Sequence, residues 1–187
     1  MRIIAGEFKG RRLNVPKGHK IRPTSDKVKE AIFSMISANI AEAVVIDLFS
    51  GTGNLGLESL SRGAKRCYFV DKSRDSMKFI LQNIARCKQE EKAITIIGDF
   101  ENAIKKIPEK SDIIFLDPPY NAGFLADCIC FISELSLLSK GGVIVAEHEA
   151  GEPLPDMTSG YIRIKEKKYG TIAISIYSTY DSEEDNI

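Results

Sequence analysis

The chain has 187 residues, 43% hydrophobic and 28% charged, a size and composition that fit one domain with a proper core. Basic and acidic residues number 26 each, so the net charge is zero, and no run of about 18 apolar residues exists to cross a membrane as a helix. Four cysteines (Cys67, Cys87, Cys128, Cys130) without Cys-x-x-Cys spacing, and only two histidines, argue against a zinc site or a disulfide framework. They read as reduced thiols of a cytoplasmic protein, and the N-terminus lacks the basic-then-apolar layout of a secretory signal.

The charge is unevenly placed. Residues 1–30 hold nine Lys/Arg against three acids, an excess of +6 that the rest of the chain offsets. A basic end on a neutral chain suits an anionic partner met by one edge of the molecule. Residues 1–40 therefore read as a basic extension, 41–180 as the core, and 181–187 as an acidic tail that frays.

In chain order, Ile3 to Val15 has short β-prone pieces broken by Gly6 and Gly10, predicting a small antiparallel hairpin or clasp. Thr24-Ser25-Asp26 offers helix caps, and Val28, Ala31, Ile32, Met35 and Ile36 recur at helical spacing. From residue 43 strand and helix alternate. Strands are predicted over 43–48, 67–70, 94–97, 113–116 and 143–146, and helices over 55–61, 76–87 and 125–138. Continuous apolar strands alternating with helices mean an α/β fold, with a parallel sheet covered on both faces. Residues 161–168 and 171–178 flank Gly170 and close the chain with an antiparallel hairpin.

Four predicted strands run into acids: Asp71, Asp99, Asp117 and Glu147. Ligands of open α/β sheets bind outside the carboxyl ends of the strands, so these acids mark a site. The turn Asp47-Leu48-Phe49-Ser50-Gly51-Thr52-Gly53 lets the backbone approach a ligand through Gly51 and Gly53. With Gly56 it also spells the dinucleotide fingerprint, so a nicotinamide oxidoreductase is a rival on this motif alone. Asp47 can hold an amino group or bond loop amides. Asp71 suits ribose hydroxyls, Asp99 an exocyclic adenine amine, and Phe100 the face of its ring. Glu147 and His148 read as structural hydrogen-bonding residues, with a direct role in substrate placement as the alternative, and Tyr169 and Thr171 are candidates for lining the same cleft.

The run Asp117-Pro118-Pro119-Tyr120 narrows the chemistry to methyl transfer. Successive prolines fix φ, remove two amide donors and force an extended path. An aromatic amine is a poor nucleophile because its lone pair is delocalised. The Asp117 carboxylate and the Pro118 carbonyl, accepting from its two N–H groups, would aim the lone pair at a methyl and stabilise the charge developing on nitrogen. Tyr120 offers a stacking face worth about 1–3 kcal/mol.

Over nearly its whole length the chain resembles class I S-adenosylmethionine-dependent methyltransferases, and more narrowly the RsmD-type 16S ribosomal RNA guanine-N2 methyltransferases. The resemblance rests on Arg2-Ile3-Ile4-Ala5-Gly6, Gly10-Arg11, Arg22-Pro23-Thr24-Ser25-Asp26, the glycine turn, Gly56-Leu57-Glu58, Ser61-Arg62-Gly63-Ala64, Asp117-Pro118-Pro119-Tyr120 and Tyr169-Gly170-Thr171. It implies a Rossmann-like, seven-stranded, mostly parallel sheet with a reversed last strand. It implies S-adenosylmethionine bound by Asp47, Phe49, Gly51, Gly53, Asp71, Asp99 and Phe100. Catalysis would fall to Asp117, Pro118 and Tyr120, with no metal. The substrate implied is 16S rRNA in an assembled or assembling small subunit, met by a cytoplasmic monomer, with Arg2, Lys9, Arg11, Arg12 and Arg22 on phosphates. The rivals are a DNA adenine-N6 methyltransferase, for whose target-recognition region 187 residues leave little room, and a noncatalytic RNA-binding module.

Overall fold

The computed structural model describes residues 1–16, 26–118 and 124–179. The expected cap at Thr24 and Ser25, the positions Arg22 and Tyr120, and the tail 181–187 lie outside those residues. Among the described residues, no helix is long and apolar enough to cross a membrane.

After helix α1 (Asp26–Met35) and a single 3-10 turn (Ser37–Asn39), strands and helices alternate. They are β1 (Val44–Leu48), α2 (Asn54–Ser61), β2 (Arg66–Asp71), α3 (Arg74–Cys87), β3 (Ala93–Ile97), α4 (Phe100–Ile104), β4 (Ser111–Leu116) and α5 (Phe124–Glu134). The chain closes with β5 (Leu138–Glu149), a two-residue β6 (Met157–Thr158), β7 (Tyr161–Tyr169) and β8 (Ile172–Thr179). Ser73 caps α3 by accepting from the Ser76 N–H, and Asp99 caps α4 by accepting from the Asn102 N–H, each satisfying a donor that a helix start leaves without a partner.

The sheet runs β3-β2-β1-β4-β5-β8-β7-β6. Strands β1 to β5 are mutually parallel, and β8 is inserted antiparallel between β5 and β7. The sheet thus has the seven expected strands with a reversed last one, plus the short β6 at its far edge. Two other boundaries differ from the sequence reading. The helix expected to reach Leu138 stops at Glu134, because Ser136 turns left-handed (φ 48) and Leu138 already starts β5. The short α4 interrupts a stretch that had been assigned no element.

Side chains alternate across the strands and divide the core in two. One layer packs Val45, Phe69, Phe115, Val145 and Ile174 against α1, α2 and α3. The other packs Ile46, Val70, Ile114, Ile144 and Tyr177 against α4 and α5. Burying such side chains contributes about 1.5–3 kcal/mol each.

Residues 1–16 belong to the first layer through Ile3, Phe8 and Leu13. They form a clasp instead of two full strands: one antiparallel bridge joins Arg2 to Arg12, and the Ile3 N–H donates to the Arg11 carbonyl at 2.9 Å. A buried polar group fastens it. Glu58, fully enclosed, accepts from the Ile4 N–H at 2.9 Å, the Ala5 N–H at 3.0 Å, Lys29 Nζ at 2.9 Å and Arg62 Nε at 2.9 Å. Asn83 on α3, also fully buried, accepts from the Asn14 N–H at 2.7 Å and donates to the Asn14 and Thr52 carbonyls at 3.0 and 2.9 Å. The clasp is therefore tied to the glycine turn as well as to the helices.

Candidate active site at the carboxyl edge of the sheet

Strand order reverses between β1 and β4, and a cleft of about 650 Å³ opens at that edge. Its walls include Phe49 after β1, Asp71 at the end of β2, Gly98 to Asn102 after β3, Asp117 after β4 and Phe124 at the start of α5. This is the crevice where open α/β sheets take ligands.

The glycine turn is held by carboxylates. Asp71 accepts from the Gly51 N–H at 2.9 Å through one oxygen and from the Ser73 N–H at 2.8 Å through the other. Each oxygen keeps a lone pair for a ligand hydroxyl. Gly53 sits at φ 77, the left-handed region, as the residue before α2, where a side chain would be strained. Phe49 takes the same region (φ 63) without that freedom, a strain of the kind found at ligand clamps.

Asp47 lies beneath the turn, 3% exposed, and accepts from the Gly56 N–H at 2.9 Å. Burial pushes its carboxyl up to about 7, against the pull of the Gly56 bond and with the help of the Asp71 charge. It does not line the cleft. Asp99 lines the cleft, with its oxygens taking the Asn102 N–H and the Asn102 amide, each at 3.0 Å. Those bonds hold its carboxyl below the usual range.

Phe100 meets Phe124 edge-on at 5.3 Å and Phe131 at 5.7 Å, and Phe49 packs on Phe124 at 5.6 Å. Sequence reasoning missed Phe124 and Phe131, since nothing in the chain separates them from ordinary core residues of α5.

Asp117 stands on the cleft beside buried Pro118. Withdrawal from water, then the charges of Glu147 and Asp47, push its carboxyl up to about 8. Glu147 is 5% exposed. His148 points to the opposite layer. Its Nδ1 lies 2.9 Å from the Glu149 carbonyl, to which it donates, and its Nε2 lies 2.9 Å from Ser175 Oγ. Tyr169 and Thr171 are not on the cleft. They sit at the β7–β8 turn, three strands from β4.

The basic residues divide. Arg2 pairs with Asp26 at 2.9 Å, and Arg11 donates to the Arg86 carbonyl at 2.7 Å. Lys9 and Arg12 extend from the clasp into solvent. Arg2, Lys9 and Arg12 are exposed, while Arg11 is half-buried with its guanidinium 5.4 Å from the centre of the Phe8 ring.

A family model described as Conserved hypothetical protein 95 matches residues 1–178. A protein of Bacillus subtilis strain 168, provisionally named an rRNA methyltransferase, is 36% identical over 180 residues, spanning 95% of this chain and 98% of that one. Ribosomal RNA small subunit methyltransferase D of Escherichia coli strain K12 is 31% identical over 180 residues, spanning 95% of this chain and 89% of that one. A solved Escherichia coli structure, provisionally described as a methyltransferase, superposes with a TM-score of 0.86 at 31% identity, over 96% of this chain and 97% of that one.

Proposed function

The chain belongs to the family described as Conserved hypothetical protein 95, and on that premise we propose that it is an S-adenosylmethionine-dependent methyltransferase acting on the exocyclic N2 amine of a guanine in 16S ribosomal RNA. The observation that carries the reading is Asp117 with Pro118 at the end of β4, opening onto the cleft that the glycine turn borders.

The residues present fit the cofactor. The cleft has the volume of a small-molecule site. Asp71 has acceptor capacity for ribose hydroxyls, Asp99 for an adenine amine, and Phe100 for the ring. Phe49, Gly51 and Gly53 shape the turn beside them, and Asp47 sets it from below through Gly56. The raised Asp47 and Asp117 carboxyls mark a place short of positive charge, which a sulfonium and an ammonium group would supply. When bound, S-adenosylmethionine supplies an electrophilic methyl group.

The protein's own contribution is orientation and charge. Asp117 and the Pro118 carbonyl take the two N–H groups of the guanine amine, turning its lone pair out of conjugation and toward the cleft. As the N–C bond forms, positive charge grows on nitrogen, and the ionised Asp117 stabilises it in a site of low dielectric. The amine's proton leaves afterward, with Asp117 its nearest acceptor. Tyr120 stacks on the base. Lys9, Arg12 and Arg22, with Arg2 and Arg11, position the RNA by its phosphates. The enzyme works in the cytoplasm as a monomer, on RNA presented in assembled or assembling small subunits.

The test is transfer of radiolabelled methyl to small subunits lacking the modification, to naked 16S RNA and to duplex DNA, with Asp117→Ala alongside. The expected result is N2-methylguanosine in ribosomal RNA, lost in the variant. Label confined to DNA, or none in any acceptor, overturns the reading.

A further inference from the structure

The cofactor cleft lies on the β1-β2-β3 side of Asp117, so a base reaching Asp117 arrives from the other side, over β5, β8 and β7. Strand register carries one row of residues straight across that half. Leu116 pairs with Ala146, which places Asp117 beside Glu147; Glu147 faces Ile174, and Ile174 faces Lys167. Three strand spacings of about 4.8 Å put Lys167 about 14 Å from the β4 axis, level with Asp117.

The row also shares a face. Phe115, Val145, Ile174 and Ile176 point into the first core layer, so Asp117 and Glu147, two residues on, point the same way. On β7, Lys165 pairs with Ile176, Lys167 with Ile174 and Tyr169 with Ile172. Tyr169 packs against that same layer, confirming the side. The clasp that carries Lys9 and Arg12 covers this layer too.

Lys165 and Lys167 are exposed and have no acidic partner among the described residues. The one acid of the strand, Glu166, is occupied on the opposite face by Arg163 at 2.7 Å and Lys168 at 3.6 Å. The Lys167 ammonium lies 5.7 Å from the centre of the Tyr169 ring. Beyond its first residues, which β6 covers, β7 is the open margin of the sheet. A second basic group stands on the β3 side: Lys72 lines the cleft itself, and Arg74 and Lys78 lie beyond it, with Lys78 paired to Asp75 at 2.9 Å.

We propose that the β7 pair Lys165 and Lys167 is a second RNA-docking surface, which grips phosphates flanking the target base while the clasp holds the other side. This rests on the RNA reading above. Lysines on a sheet margin also discourage strand pairing between molecules. Replacement by glutamate keeps that protection and reverses the attraction for phosphate, so the two roles separate.

The experiment compares the full-length protein with K165E/K167E, K165Q/K167Q and a K110E/K140E control at the amino ends of β4 and β5. Binding to small subunits whose 16S RNA lacks the modification is measured by co-sedimentation across a salt series, with KM, kcat and cofactor affinity measured on the same preparations. K165E/K167E should weaken RNA binding and raise KM at least tenfold, and should lower the log–log salt slope by about 1.5, two phosphate contacts' worth. The glutamine pair should fall between, and kcat, cofactor affinity and the control should hold. Unchanged binding in K165E/K167E, or an equal loss in the control, overturns the β7 surface and leaves the RNA reading standing. RNA binding that depends on β7 without methyl transfer overturns the activity and leaves the surface. No RNA binding by the wild type overturns both.

Discussion

Lys29 and Glu58 meet at 2.9 Å with their side chains 1% and 0% exposed, and the same carboxylate receives the backbone of Ile4 and Ala5. The N-terminal clasp is thus anchored by a charge that water does not reach. Burial lowers the Lys29 pKa, and the Glu58 charge opposes that shift. Without Lys29 the carboxylate keeps Arg62 and the two backbone donors but loses one buried partner, a loss of about 1–3 kcal/mol. Lys29→Met should lose stability in that range by urea denaturation. Limited trypsin digestion should then cut after Lys9, Arg11 and Arg12 sooner than in the wild type.

Gly56 is where α2 meets β2 too closely for a side chain. An added Cβ would stand 2.3 Å from Phe69 Cε1 and 2.6 Å from Cys67 Sγ, both buried. Gly56→Ala should cost about 1–3 kcal/mol as α2 moves away. The same shift draws the Gly56 N–H from Asp47 and disturbs the glycine turn, so calorimetry should also show weaker cofactor binding.

Asp117→Asn tests whether the site trades stability for function. Its folded carboxyl stands far above the ordinary value of 3.8. That difference favours the folded state at low pH and is lost as pH rises through about 8. The variant carries no charge to bury. At pH 8.5, in the absence of cofactor, its thermal midpoint should exceed the wild type's by about 3–6 °C. Methyl transfer should fall at least about 100-fold, since the charge growing on nitrogen loses its partner.

Cofactor affinity should follow the same carboxyls. Asp117 on the cleft and Asp47 beneath the turn, raised to about 8 and about 7, hold protons at pH 6, and a positive charge brought into the cleft favours their release. Binding of S-adenosylmethionine should therefore tighten from pH 6 to 8 and level off above. Titrations in two buffers of different ionisation enthalpy should show proton release below pH 8. Asp117→Asn should flatten the upper part of the profile.

Much of the fold was legible because β1, β2 and β4 are covered on both faces and so read as apolar runs, β2 and β4 ending in acids and β1 in the glycine turn. The end of α5 was not. Leu135, Leu137 and Leu138 carry the apolar pattern past Glu134, and only the left-handed Ser136 ends the helix. The two-residue β6 is too short to have a period. At the site, the acids stood out as residue types, but their partners did not. Gly51, Ser73 and Gly56 bond them through backbone N–H groups, which every residue but proline has. The pairing of Lys29 with Glu58 joins two helices and has no local signature. The row from Asp117 to Lys167 exists only once four strands are in register.

The insertion of β8 between β5 and β7 has a consequence for how the protein is made. During synthesis, β5 and β7 emerge before the strand that lies between them. Until residues 172–179 are available, one margin of β5 (the strand that carries Glu147) has no neighbour, and β7 has no partner but β6. A nascent chain therefore presents two unpaired strand margins, an apolar one on β5 and a charged one on β7, to the crowded surroundings of the ribosome. The carboxyl half of the sheet is complete only once residues 172–179 have paired with both of their neighbours.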